Sequence, residues 1–189
     1  MNQPSPVTPH EDVITLGAGC FWCSEAVYLR VRGVLGVESG YCMGHLHQPN
    51  YEQVCSGHSG HAEVVQLRFD PREVSLEDLL RIFFTIHDPT SLNRQGADVG
   101  TQYRSGIYYQ RPEQLAQIQP LLDEANAALG GRVVTEVQPL QNYWPAEAYH
   151  QRYFEQHPEQ GYCAFVVAPK VDKFVQRFAQ LLKDEGASA

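Results

Sequence analysis

The sequence predicts an α/β (α+β) domain: a single mixed β-sheet with helices packed on it, a two-layer sandwich. Strand-like and helix-like stretches alternate along the chain. Residues 62–70 alternate apolar and polar with a period of two, while 76–83 and 171–182 repeat apolar residues at helical spacing. At 189 residues with 43% hydrophobic and 19% charged side chains, the chain is long enough for one well-developed core. No internal repeat or linker interrupts it, so 13–184 is expected to be one catalytic domain between a flexible segment at 1–12 and a flexible tail at 185–189.

In chain order, Val13–Leu16 reads as a strand that runs into Gly17-Ala18-Gly19 and then into Cys20-Phe21-Trp22-Cys23-Ser24-Glu25, a segment able to start a helix. Val34–Cys42 reads as the next strand. A polar loop, Met43–His61, follows, and loops of that length are usually functional or disordered. In Ala62–Asp70, Val65, Leu67 and Phe69 share a face, and parity places Glu63 on it. Ser75-Leu76-Glu77-Asp78 has capping-box spacing and opens a helix that Asp88-Pro89 stops. A second long loop spans Thr90–Thr101, followed by a strand at Tyr103–Gln110. A helix starting at Pro112 should be kinked or divided at Pro120. Val133–Val137 is expected as a strand, Ala146–His157 as a short aromatic helix, and the last helix opens at Pro169 with Val171, Phe174, Val175, Phe178, Leu181 and Leu182 on one face.

Composition narrows the function. A net charge of −8 with a pI near 5.4 and no basic run speaks against nucleic-acid binding. No apolar stretch is long enough to span a bilayer, and the first dozen residues, with three prolines, lack the apolar segment of a signal peptide. A cytoplasmic monomer is expected. Five cysteines, at 20, 23, 42, 55 and 163, are an odd number that favours redox or metal chemistry over a disulfide framework.

Cys20 is the candidate nucleophile. At a helix N-terminus, unpaired N–H groups and the helix dipole favour the thiolate, the reactive form of cysteine. A carboxyl group on an apolar strand face loses hydration, so Glu63 should hold a proton near neutral pH. The alternative is a frayed strand start from which Glu63 bends into water, and the sequence leaves both open. Phe21 and Trp22 serve either as core or as a pocket wall beside the thiol. Tyr51, Tyr103 and Asp98 serve either as loop residues or as part of a site. Cys20-Phe21-Trp22-Cys23 also permits half a zinc site, completed by Cys55, His58 and His61 or by Cys42, His45 and His47, or a general dithiol-disulfide centre.

Four segments, Gly19–Trp22, Tyr51–Gly57, Gly60–Glu63 and Asn93–Ser105, resemble the signatures of the peptide methionine sulfoxide reductase A family in order and spacing. Ala146–Gln151 and Gly161-Tyr162-Cys163 extend the resemblance over most of the chain. The resemblance implies a Cys20 nucleophile that attacks the S epimer of methionine sulfoxide, free or in a protein, giving methionine and a cysteine sulfenic acid. It implies Glu63 as the acid, Tyr51 and Tyr103 as hydroxyl donors, Asp98 as the ordering carboxylate, and Phe21 and Trp22 as the methyl pocket. Cys163 matches the family's resolving cysteine, and Cys23, one helical turn from Cys20, is the nearer candidate; relay between them is open. Thioredoxin is the expected reductant, and no cofactor or metal is expected. The chain departs from the family at Cys42-Met43, where a residue followed by glycine is common.

Overall fold

The structure is a computed structural model that describes residues 10–184; the expected flexible tail at 185–189, and all but the last three residues of the expected N-terminal segment, lie outside it. The elements follow in chain order as β1 (Asp12–Gly17), α1 (Phe21–Tyr28), β2 (Val34–Cys42), α2 (Tyr51–Cys55), β3 (Ala62–Phe69), α3 (Leu76–Ile86), β4 (Arg94–Gln95), β5 (Asp98–Val99), β6 (Gly106–Tyr109), α4 (Leu115–Ala128), β7 (Glu136–Pro139), β8 (Trp144–Pro145), α5 (Tyr153–Gln156) and α6 (Ala168–Arg177). Six strands form one mixed sheet in the order β7-β6-β1-β3-β2-β8, in which only the β6–β7 pair is parallel.

Strand parity sorts the two faces. Ile14 and Leu16 of β1 stand opposite Leu67 and Val65 of β3 and are buried beneath α1, α3, α4 and α6 in one continuous core. The other face carries Thr15, Gln66 and Arg68, with a small apolar cluster of Cys42, Ala62, Val64 and Tyr108 at one end. Tyr28, fully buried on α1, donates its hydroxyl to the Leu79 carbonyl at 2.8 Å and so joins two helices of the packed layer.

Several expectations shift. Asp12, placed in the flexible segment, pairs with Phe69 as the first residue of β1. The long loop after β2 contains a helix, α2, started by a capping box between Asn50 and Gln53. The second loop contains the β4–β5 hairpin, and Tyr103 sits in a 3-10 turn before the strand rather than in it. Pro120 does not divide α4; it lies on the solvent face of the helix, where the Ala116 carbonyl it leaves without an N–H partner is also exposed. The strand expected at Val133 starts at Glu136.

Ala146–His157 is not one helix. A 3-10 turn at Ala148–His150 ends where the Gln151 side chain accepts from the Ser39 N–H at 3.0 Å and donates to the Ser39 carbonyl at 2.9 Å, and left-handed Arg152 then restarts the chain as α5. Helical backbone also begins before Pro169, at Gly161, passes through a π-turn at Cys163–Val167 and ends at Arg177. Phe178, Leu181 and Leu182 therefore reach the core from beyond α6, while Val175 is exposed.

The turn from β1 into α1 depends on Gly19, whose φ of +86° is in the left-handed region; a Cβ there would lie 2.7 Å from the Gln95 side chain. Gly19→Ala should therefore lower stability by at least about 1 kcal/mol, the cost of a left-handed residue with a Cβ, and displace Cys20. Urea unfolding with m unchanged, together with loss of thiol reactivity at Cys20, would show this.

Candidate active site

The chain leaving β1 at Gly17 passes the start of β3, which brings the first turn of α1 over Glu63. Cys20 is the N-cap of α1, and the Phe21 N–H that follows it donates to Glu63 Oε1 at 3.2 Å. Glu63 is buried on the core face opposite Tyr41, as its parity indicated, so the frayed-strand alternative is set aside. Burial pushes its carboxyl up to about 8, against the Phe21 N–H, which favours the anion. Because Oε1 accepts from Phe21, the proton resides on Oε2, which has no hydrogen-bond partner among the described residues. The site thus holds a neutral carboxylic acid with a free donor next to a cysteine.

That cysteine is not the ready thiolate expected from its helix position. Burial pushes the Cys20 thiol up, and its hydrogen bond to Cys23 and the Glu63 carboxyl push it further; the Trp22 N–H pulls the other way and is outweighed. The hydrogen bond from Cys20 lowers Cys23, and Lys170 and Tyr162 add to this against burial. Of the two thiols, Cys23 is the one drawn toward ionisation and Cys20 the one held back by burial.

Two phenols come from the loops. Tyr51 opens α2, and Tyr103 ends the turn before β6; burial, followed by the charge of Glu63, holds both hydroxyls above the ordinary tyrosine range and so protonated. Arg104 fixes Tyr103 by donating to the Gly60 carbonyl at 2.9 Å and the Thr101 carbonyl at 2.9 Å, linking that turn to the segment ahead of Glu63. Asp98, on β5, accepts from the Tyr162 hydroxyl at 2.5 Å. Its hairpin is held by Gln95, whose side chain accepts from the Asp88 N–H at 2.9 Å and donates to the Asp88 carbonyl at 3.0 Å.

Phe21 and Trp22 differ. Phe21 is fully buried, packed at ring distances of 5.7 Å from Tyr41 and 5.1 Å from His150. Trp22 is half-buried, stacked 3.8 Å from Tyr153 and edge-on to Tyr162 at 5.8 Å. Its indole N–H donates to His150 Nδ1 at 3.1 Å. Cys163 is buried in the π-turn directly after Tyr162, with its thiol raised by burial and then by Cys23.

The sequence offers no role for His150 or Glu147, and for His61 only that of a possible zinc ligand. His150 and Glu147 belong to a turn that reads as part of a helix, and only the tertiary fold places them under Phe21 and Tyr51. Buried His61 has both ring nitrogens engaged, Nδ1 accepting from the Gly44 N–H at 3.2 Å and Nε2 donating to the Leu46 carbonyl at 2.8 Å, which shapes the loop ahead of α2. Met43, at the family's glycine position, adopts φ 71°, a left-handed backbone that explains why glycine is common there. Cys42 packs in the cluster on the opposite sheet face, away from Cys20 and Cys23, which removes it from the imagined zinc set. Among the described residues, no three His, Cys, Asp or Glu side chains gather as metal ligands.

The peptide methionine sulfoxide reductase family model matches residues 12–182. The chain belongs to this family. The peptide methionine sulfoxide reductase MsrA of Saccharolobus solfataricus is 49% identical over 172 residues, covering 91% of this chain and 97% of the relative. Among solved structures, Mxr1 of Saccharomyces cerevisiae in reduced form is 34% identical with a TM-score of 0.77, covering 82% of this chain and 91% of the other. Mxr1 in complex with Trx2 is 25% identical with a TM-score of 0.55 over 79% of this chain and 89% of the other. The sandwich expected from sequence is the fold these structures share.

Glu63 makes two pH predictions for this family member. Its acid form is present below about pH 8 and lost above it, so sulfoxide reduction should fall with a one-proton limb near that pH, and Glu63→Gln should remove the limb. A carboxyl whose folded-state pKa lies above its unfolded value binds a proton on folding, so stability falls as pH rises from the ordinary carboxylate range to about 8. Thermal unfolding at pH 6 and pH 9 should show wild type losing more stability over that interval than Glu63→Gln.

Proposed function

We propose that the chain reduces the S epimer of methionine sulfoxide, free or in oxidised proteins, to methionine. The carrying observation is Glu63 Oε2, a buried acidic O–H with no partner among the described residues, held beside Cys20 by the Phe21 N–H. A sulfoxide oxygen is strongly dipolar and leaves sulfur only as it gains a proton. A neutral carboxylic acid and two protonated phenols provide donors for that oxygen, and a half-buried indole gives the substrate methyl an apolar wall.

In the proposed step the Cys20 sulfur attacks the sulfoxide sulfur while Glu63 protonates the oxygen, with Tyr51 and Tyr103 donating hydrogen bonds to it. One oxygen passes from substrate to Cys20; methionine leaves and Cys20 becomes a sulfenic acid. Neither the acid nor the thiol is charged beforehand; as Glu63 gives its proton to the sulfoxide oxygen, the carboxylate it leaves takes the Cys20 thiol proton and frees the sulfur to attack. Asp98 orders the site through Tyr162. Cys23 then attacks the sulfenic acid, releasing water and forming a Cys20–Cys23 disulfide, a role supported by its place one turn on, where its N–H donates to the Cys20 carbonyl at 3.2 Å, and by its lowered pKa. Exchange with Cys163 passes the disulfide outward, and an external dithiol, with thioredoxin as the assigned partner, restores both thiols. Residues 13–184 act as a single catalytic domain and monomer that needs no cofactor. No helix among the described residues is long and apolar enough to cross a membrane, and a cytoplasmic setting fits the free cysteines.

Turnover of the two separated sulfoxide epimers with a dithiol reductant tests this. Wild type should reduce the S epimer alone, Cys20→Ser should be inert, and Glu63→Gln should be slowed about 10²- to 10⁴-fold, the range of positioned acid catalysis. Reduction of both epimers at equal rates, or full activity in Cys20→Ser, would refute the proposal. Mass spectrometry after one turnover without reductant should find the Cys20 disulfide in Cys163→Ser and a persistent sulfenic acid in Cys23→Ser. The reverse pattern would make Cys163 the direct resolver.

A further inference from the structure

Glu147 has no part in the chemistry above, yet its carboxylate joins three elements. Oε1 accepts from the Tyr41 hydroxyl of β2 at 3.0 Å. Oε2 accepts from the Tyr51 N–H at the start of α2 at 3.2 Å and from the Tyr149 hydroxyl at 3.2 Å. Tyr41 stands directly across the ladder from Glu63, and its ring lies 5.7 Å from that of Phe21. A single carboxylate therefore ties the helix that bears one phenol to the strand pair that bears the acid.

The tie matters because α2 has little else to hold it. It is five residues long with one buried side chain, Val54, too short to keep its own position. The capping box between Asn50 and Gln53 shapes its first turn but attaches it to nothing outside the loop. At its far end the Gln102 side chain donates to the Cys55 carbonyl over 3.5 Å, a long bond. At the near end, the Tyr51 ring rests 4.5 Å from that of His150, which belongs to the turn that Glu147 opens.

We infer that Glu147 is a positioning residue for sulfoxide reduction, setting the Tyr51 hydroxyl relative to Glu63 by binding the Tyr51 N–H and the Tyr41 hydroxyl with one carboxylate. The inference rests on the reading of Tyr51 as a donor to the sulfoxide oxygen. An ionised carboxylate is an acceptor at both oxygens and can serve all three donors. An amide keeps one acceptor oxygen and presents an NH₂ to groups that themselves donate, so Glu147→Gln retains the shape of the side chain while releasing Tyr51 or Tyr41.

The test is a double-mutant cycle read in single turnovers of the S epimer of methionine sulfoxide with excess reduced enzyme. It compares wild type, Glu147→Gln, Tyr51→Phe and the double variant. Glu147→Gln should slow methionine formation about tenfold when Tyr51 is intact, a modest share of the loss that ångström-scale misplacement can cause. In the Tyr51→Phe background the same change should cost less than about twofold, because interacting residues are non-additive. An equal loss in both backgrounds would mean a general effect on the fold and would overturn the inference, as would no loss in either. Tyr51→Phe at the wild-type rate would refute the donor reading itself, and the inference with it, and is distinguished by that variant alone. If Glu147→Gln does not fold, Glu147→Asp, which keeps the charge one methylene shorter, should show the same non-additivity with a smaller loss.

Discussion

The hydrogen bond from the Phe21 N–H to Glu63 Oε1 is the constraint on which the site is built. The first N–H groups of a helix lack partners within it, and a buried carboxyl lacks water. Each supplies part of what the other is missing, but one N–H does not repay the desolvation of a charge. The carboxyl therefore keeps its proton to about pH 8, and keeps it on the oxygen that Phe21 does not use. A structural bond at the helix start thereby leaves a reactive group facing the reaction.

Rigid pairing elsewhere makes that bond possible. Glu63 is the second residue of β3, flanked by β1 and β2, so strand register rather than side-chain freedom sets its position. Cys20 follows β1 by three residues through a glycine in the left-handed region. By contrast, the phenols, Asp98 and the second thiols arrive on short helices, turns and a two-stranded hairpin. Side chains that bond like backbone hold these in place: Gln95 to both polar atoms of Asp88, Gln151 to both of Ser39, and Arg104 to the carbonyls of Gly60 and Thr101. The sheet carries Glu63, and the short helices, turns and hairpin carry the groups that the proposed reaction brings to a substrate and then to a second protein.

This division also decided what could be read from the chain. Period-two alternation places Glu63 on the buried face because that signal is local and β3 buries one face beneath the helices while Gln66 and Arg68 stand on the other. The capping box at Ser75 is legible for the same reason, whereas the one at Asn50 opens a helix of only five residues, too short to show a helical repeat within its polar surroundings. Glu147 and His150 left no local signal. Their role comes from contacts across about a hundred residues of sequence, to Tyr41, Tyr51, Phe21 and Trp22. The ionisation of Cys20 is not legible in the sequence for a related reason. Helix position was visible there, but the depth of burial that outweighs it belongs to the tertiary fold.

In the proposed reaction, a Cys20 thiol whose pKa burial raises has a chemical advantage. Oxidants and electrophiles react with thiolates, so a neutral Cys20 is protected until a substrate arrives that can accept a proton. A sulfoxide is such a substrate: taking the Glu63 proton makes its sulfur electrophilic and leaves an anion beside Cys20 able to receive the thiol proton. Activation is then coupled to the one functional group the site is shaped to reduce. A thioether, with no basic oxygen, would leave both protons where they are, so the methionine product has no means of reawakening the thiol. In the proposed cycle Cys23 needs no such gate: its lowered pKa suits it to attack the sulfenic acid as soon as Cys20 has been oxidised.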